Sequence, residues 1–267
     1  MGTSDLTALR RALSLFHDDE RGCHIRSQIF DLEINYRVNS EAANFREARA
    51  IRNINHDLWQ ISALMSRLVW MREMTRSGDL HEASWRAYSQ LDIEHYYVQV
   101  RSALDYLAVL IAESAPKRGQ LPTSFRSLRE SIEKYEQKIH PKIASMVSSA
   151  HWFDELRAIR DSIVHDGAQP MVFSDGNDWL LFQVHGSGLR NMVSKPFMLH
   201  NENVAYFDRF VAWSFSHALS ALDCVGSCLS EDTQFPTKVG PVRSYGSGFS
   251  DIRGWMKELL QRLETAT

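Results

Sequence analysis

Cysteine is scarce: the 267 residues hold only Cys23, Cys224 and Cys228. Three thiols cannot staple a chain of this length, and their odd number suits a reducing compartment. Proline is absent before Pro116, and over that stretch only Gly2, Gly22 and Gly78 interrupt the chain. Long helices are expected there, since Pro costs a helix interior about 3 kcal/mol and Gly about 1. No apolar run exceeds the seven residues from Tyr106 to Ala112, whereas a bilayer span needs about 20. The opening MGTSDLTALRRALSLF lacks the basic-then-apolar layout of a signal peptide. Leu6 stands where N-myristoylation asks for Ser or Thr. A cytoplasmic protein without a membrane partner is the expectation. An excess of positive charge is missing too: 30 Lys plus Arg face 33 Asp plus Glu, a net charge of -3, and the isoelectric point is near 6.4. Proteins dedicated to nucleic acid are usually strongly basic, because phosphate contacts dominate their affinity. Any such role here needs a local basic patch.

What is present reads as globular and mainly helical. Hydrophobic residues at 44% and charged residues at 24% exclude disorder, and the length suits one large domain or two small ones. Ile54, Leu58, Ile61, Met65 and Leu68 step by 4, 3, 4, 3, which predicts a helix over about 42–76. Ile93, Tyr97, Val100, Leu104, Leu107 and Ile111 predict a second over about 80–114, antiparallel to the first across a turn at Gly78. Between Phe30 and Val38 apolar and polar residues alternate, a strand's period, so residues 29–38 are expected to form a half-buried strand. Further helices are predicted over about 124–138, 150–165, from near 203, and 249–263. Two β-rich runs around Asp175-Gly176, near 171–184, predict a hairpin that the strand at 29–38 would join. The expected architecture is an antiparallel helical bundle with a small β element. Its parts would be an N-terminal arm (1–78), the bundle (79–235) and a C-terminal segment (236–267).

One segment carries a recognisable pattern: Leu156-Arg157-Ala158-Ile159-Arg160-Asp161-Ser162-Ile163-Val164-His165-Asp166-Gly167, closing an amphipathic helix. It resembles the Arg-x4-6-His signature of the HEPN superfamily, small helical bundles many of which are metal-independent ribonucleases. The helix Tyr96-Tyr97-Val98-Gln99-Val100-Arg101-Ser102-Ala103-Leu104-Asp105-Tyr106-Leu107-Ala108 is similar to the first bundle helix of prokaryotic members. The likeness covers about residues 88–230. It implies a HEPN-type bundle, an RNA substrate, a homodimer whose two motif helices share one cleft, and a toxin or defence role with a regulatory partner protein. No cofactor is implied. Some members are silenced by modification of a Tyr two after the His; Gly167 stands there, so that control is not implied.

The residue types suit the chemistry. Metal-free RNA cleavage needs a group that moves protons, and His does so at neutral pH. It also needs a fixed cation for the crowded phosphate, which Arg supplies. These roles fall to His165 and Arg160; Asp161, four residues before His165 and on its face, would orient the imidazole. On a straight helix Arg160 and His165 stand about 140° apart. A long Arg side chain, a frayed last turn or a second subunit must bring them together. The plainer alternative makes His165 a dipole-stabilising helix terminus and Arg157 with Asp161 a surface ion pair, within a non-catalytic module that binds a partner protein or nucleotide. Two basic stripes, Arg126, Arg129, Lys134, Lys138 and Lys142, and Arg46, Arg49 and Arg52, are candidate RNA tracks, but acids interleave with the first. Trp85 and Trp179 are candidates to stack on bases or a partner. Cys224 and Cys228 have no companions at zinc spacing and read as core residues.

Overall fold

Helix α1 (Thr3–Ser14) and a short antiparallel hairpin, β1 (Phe16–Asp19) with β2 (Gly22–Ile25), open the chain. The structure is a computed structural model and describes residues 3–20, 22–32, 46–115, 119–174, 180–184, 189–232 and 248–265. The breaker-poor stretch then forms two long antiparallel helices, α2 (Arg46–Ser77) and α3 (Glu82–Ser114). Gly78 makes the turn at φ +83°, a conformation that suits a residue without Cβ. The amides of Asp79 and Leu80 both return to the Met74 carbonyl, and the His81 ring caps α3 by accepting from the Ala83 amide. Every residue of the two predicted stripes is buried. Two nitrogens of Arg67 grip the buried Asp92 carboxylate, which fixes the register of the pair.

Three shorter helices follow, α4 (Phe125–Glu130), α5 (Pro141–Ser148) and α6 (Trp152–Val164). The helix predicted over 124–138 ends early. The Ser131 hydroxyl bonds back to the Ser127 carbonyl, and the chain continues as tighter turns at Ile132–Lys134 and Glu136–Lys138. Helix α6 stops near its predicted end: His165 is its C-cap, Gly167 takes φ +68°, and the Ala168 amide reaches the Ser162 carbonyl at 3.1 Å. Strands β3 (Pro170–Ser174) and β4 (Leu180–Val184) form the expected hairpin, with Met171 opposite Gln183. Its partner is β5 (Ala205–Tyr206), which pairs with β4. Helices α7 (Phe207–Asp232) and α8 (Phe249–Thr265) complete the chain.

The strand expected at 29–38 is a correction. Residues 28–32 are helical, and 33–38 lie outside the described residues. Ile29, Phe30 and Leu32 are all buried, which a half-buried strand would not allow for neighbours. A Cβ at Gly226 of α7 would lie 2.4 Å from the Ile29 backbone nitrogen, so this turn is pressed onto α7. Close tertiary packing outweighs the local alternation.

The layers meet in one connected core. Phe182 of β4 packs edge-on against Phe207 at 5.5 Å and near Tyr97 and Phe210, so the small sheet is seated on α3 and α7. The Tyr96 hydroxyl finds Ser214 at 2.7 Å, which satisfies a fully buried polar group. Helix α1 lies against α7 and α8. Side chains from both sides of residue 78 therefore enter the same core. Among the described residues, no helix is long and apolar enough to cross a membrane.

Candidate active site at the end of helix α6

Helix α6 buries Trp152, Phe153, Leu156, Ile159 and Ile163, which turns Arg157, Arg160 and Asp161 outward. Arg160 Nη1 donates to His165 Nε2 at 2.8 Å and to Asp161 Oδ1 at 3.0 Å. The 140° separation is overcome inside one chain. His165 stands just past the last helical residue, and the Arg160 side chain spans the remaining distance. With Nε2 accepting, a neutral imidazole carries its proton on Nδ1. The His165 side chain is 62% exposed, and Asp161 Oδ1 lies 3.9 Å from its Nε2. The three residues picked from sequence thus form one constellation.

Around them gather cations that the motif does not contain. Arg157 Nη1 reaches Glu130 Oε1 at 2.9 Å, and Arg126 Nε reaches the same oxygen at 2.9 Å. Both arginines hold the Glu130 carboxyl below its usual range. From α3, Arg101 lays its guanidinium 4.8 Å over the Phe153 ring and approaches Asp105 at 3.3 Å. Burial lowers the Arg101 pKa; Asp105 opposes this, and the neighbouring positive charges of Arg160 and Arg157 add to it. Arg101 Nη1 and Arg160 Nε are buried without a hydrogen-bond partner among the described residues. Four arginines from α3, α4 and α6 therefore face three acids, Asp105, Glu130 and Asp161, an excess of positive charge beside an exposed imidazole. Such a site can take a phosphate and move a proton next to it.

Arg101 was visible in the sequence within the helix that carries the resemblance, but its role was not. The signal available was a guanidinium set among the apolar positions Tyr97, Val100 and Leu104. The longer basic stripe divides. Arg126 joins the cluster, while Arg129 binds Asp154 at 2.6 Å and Lys142 lies 3.4 Å from Glu231 on α7. Arg46 of the second stripe pairs with Glu113 at 2.8 Å. Trp85 is a correction: it is 3% exposed and belongs to the core, whereas among the described residues Trp59 and Trp70 are the half-exposed indoles. Trp179 lies outside the described residues. Burial pushes the Cys224 and Cys228 thiols up, as for core residues. Among the described residues, no three His, Cys, Asp or Glu side chains gather as a metal-binding group.

A cavity of about 580 Å3 lies on another face of α6, lined by Asp5, Arg11, Trp152, Glu155, Lys195 and His217 among others. Burial would raise the Asp5 pKa. His217, Trp213 and Lys195, at 3.2, 3.0 and 3.1 Å, outweigh it and hold the carboxyl well below its usual range. Both Glu155 oxygens accept from Ser194. This network is closed on itself, unlike the arginine cluster. Comparison of the chain with protein-family models, with curated proteins and with solved structures finds no match.

Proposed function

We propose that the chain is a metal-independent endoribonuclease of HEPN type, acting as a toxin or defence effector. The observation that carries this reading is the 2.8 Å contact between Arg160 and His165 amid three further arginines. An incoming phosphodiester would draw Arg160 away from the imidazole, since a phosphate oxygen is the stronger acceptor for guanidinium. His165 Nε2 is then free to take the 2′-hydroxyl proton as the 2′-oxygen attacks phosphorus. The bond from phosphorus to the 5′-oxygen breaks, and the imidazolium returns the proton to that oxygen. The products are a 2′,3′-cyclic phosphate and a 5′-hydroxyl. Arg160 and Arg101 stabilise the negative charge on the pentavalent phosphorus, and Asp161 orients both Arg160 and His165.

The test is cleavage of tRNA, rRNA and mRNA in EDTA by the wild type, Arg160→Ala and His165→Ala. Activity confined to the wild type, leaving cyclic-phosphate ends, supports the reading. Wild-type rates in His165→Ala sink it. A second reading is favoured by the acids that occupy the arginines, Glu130 on Arg157 and Asp161 on Arg160. In it the bundle is a non-catalytic module for a partner protein or nucleotide. A folded wild type inert on all three RNA classes selects that reading.

A further inference from the structure

Both long helices carry a second, largely apolar stripe on the side away from the core, broken by His56, Arg67 and His95. On α2 the exposed residues His56, Trp59, Ala63, Arg67 and Trp70 step by 3, 4, 4, 3. On α3 Tyr88, Leu91, His95 and Val98 step by 3, 4, 3. The Arg67–Asp92 contact sets the antiparallel register, so Trp70 lies level with Tyr88 and Trp59 with Val98. Trp59, Trp70, Tyr88 and Leu91 are each 52–60% exposed, and Val98 is 38% exposed. Trp59 is held in place by stacking on His56, with ring centroids 6.1 Å apart, and His56 is bonded to Gln60. Between the helices is a hollow of about 250 Å3, lined by Trp59, Gln60, Ala63, Leu64, Arg67 and His95. A helix that is apolar on opposite faces is normally covered on both. Here the inner stripes reach the core and the outer ones reach nothing else among the described residues.

We propose that this face docks a second copy of the chain, hairpin on hairpin, as a four-helix bundle. The α2 stripe is self-complementary, with a large residue at each end and Ala63 between. A two-fold axis between residues 66 and 67 sets Trp70 of each copy over the hollow beside Ala63 of the other, a knob entering a hole. The area is sufficient. The exposed apolar side chains offer about 500 Å2 per copy, hence about 1,000 Å2 for the pair, the lower bound for a specific interface. An apolar patch of this size matches the largest on a typical monomer, about 300–600 Å2, and such patches are often functional. The central charge raises no obstacle: Arg67 is neutralised by Asp92 within its own chain. In this dimer Arg101 lies about 12 Å along the helix from the level of the axis. The two arginine clusters would therefore lie on opposite sides of the axis, so this interface does not build the shared cleft that the HEPN resemblance implies, and the proposal does not rest on the ribonuclease reading.

Sedimentation equilibrium on the full chain from 1 to 100 μM tests it. The wild type should reach twice the 30.7 kDa chain mass, and its tryptophan emission should shift to the red as dilution exposes Trp59 and Trp70. Leu91→Glu and Trp70→Glu, which alter only exposed positions, should sediment as monomers with unchanged circular dichroism. Val164→Glu, at the 45% exposed end of α6, should remain dimeric. A wild type that is monomeric throughout overturns the proposal and leaves the face to another protein. A dimer that survives both hairpin substitutions, or that only Val164→Glu breaks, overturns it in favour of the motif helix. If a glutamate variant misfolds, the dilution-dependent emission of the wild type decides alone.

Discussion

The arginine cluster on α3, α4 and α6 and the outer face of the α2–α3 hairpin share a helix, yet they are incomplete in opposite ways. Around Arg160 the charges are largely paired, while N–H donors such as Arg101 Nη1 stay buried and unused. On the hairpin the one central charge is fully matched by Asp92, and apolar area is left over. An unused buried donor costs about 1–3 kcal/mol and is relieved by an acceptor, most strongly by an anion. Uncovered apolar surface costs roughly 25 cal/mol per Å2 and is relieved by any close-fitting apolar face. The first region thus selects for chemistry and charge, the second for shape. Their responses to substitution, salt and pH should differ accordingly.

The largest effect falls on the imidazole. His165→Ala should lower the cleavage rate by about a thousandfold, within the usual range for a group that transfers protons. The protein should keep its melting temperature, because this side chain is mostly exposed. A single-turnover rate within tenfold of wild type would remove proton transfer by His165 and leave the cluster as a binding surface.

Next is Arg101. Arg101→Ala should cost about a hundredfold in kcat/KM, the size expected for losing one charge-stabilising donor. It should also reduce the salt dependence of RNA binding by about one phosphate contact. Arg101→Lys should recover little, since a lysine cannot stack flat on Phe153 or reach two oxygens at once. The hairpin contact should behave in the reverse manner and hold or tighten with added salt. If RNA affinity and dimer affinity follow salt alike, the contrast between the regions fails.

The two regions were not equally legible in the sequence. The 4-3 stripes placed both long helices, with ends within about four residues, because breakers were absent and the core side repeats without fault. Arg160, Asp161 and His165 were picked out by their resemblance to the HEPN motif, and only the way they meet needed the structure. The helix geometry argued against contact, and the reach of the Arg160 side chain reverses that, since His165 itself keeps a helical backbone. Arg101 and Arg126 come from other elements, and no local spacing joins them to α6. The outer stripes were hidden by the inner ones. Once a helix face is assigned to the core, exposed Trp59 and Trp70 read as ordinary scatter, and their exposure is a property of the assembled pair. The misread strand at 29–38 has the same origin: its burial depends on the closeness of Gly226, far away in the chain.

A third prediction concerns pH and the foundations of the hairpin. Burial raises the Asp57 pKa to about 6, although Ser102 and His56 oppose the shift. A carboxyl raised in the folded state binds its proton more tightly there than in the unfolded chain. Its contribution is fully present below the unfolded value near 4 and is lost as pH rises through 6. The loss should be on the order of 3 kcal/mol, at about 1.4 per unit. Urea unfolding followed from pH 4 to 8 should show this decline, and Asp57→Asn should reduce it. Asp208, buried at the start of α7 and raised to about 7, adds a slope of the same sign slightly higher. The Asp57→Asn change should therefore remove only the lower part of the decline. An unaltered profile in that variant would show that Asp57 is not the titrating group.

The smallest effect is the most informative about the cluster itself. Asp161 Oδ1 lies 3.0 Å from Arg160 and 3.9 Å from His165, and its Oδ2 lies 3.9 Å from Arg157. In the resting site it would compete with a phosphate for Arg160, and at 3.9 Å from Nε2 it would also stabilise an imidazolium. Asp161→Asn removes both influences while keeping the side-chain shape. With a competitor gone, KM should fall about threefold. With the imidazolium less stabilised, kcat should fall about tenfold, roughly the value of one partly exposed charge interaction. A merely structural carboxylate would not split the two constants in this way. Loss of folding would lower the active fraction and leave KM alone, and loss of binding would raise KM. If both constants move in the unfavourable direction, Asp161 holds the arginines in place rather than competing for them. The resting contact between Arg160 and His165 would then itself be the productive geometry.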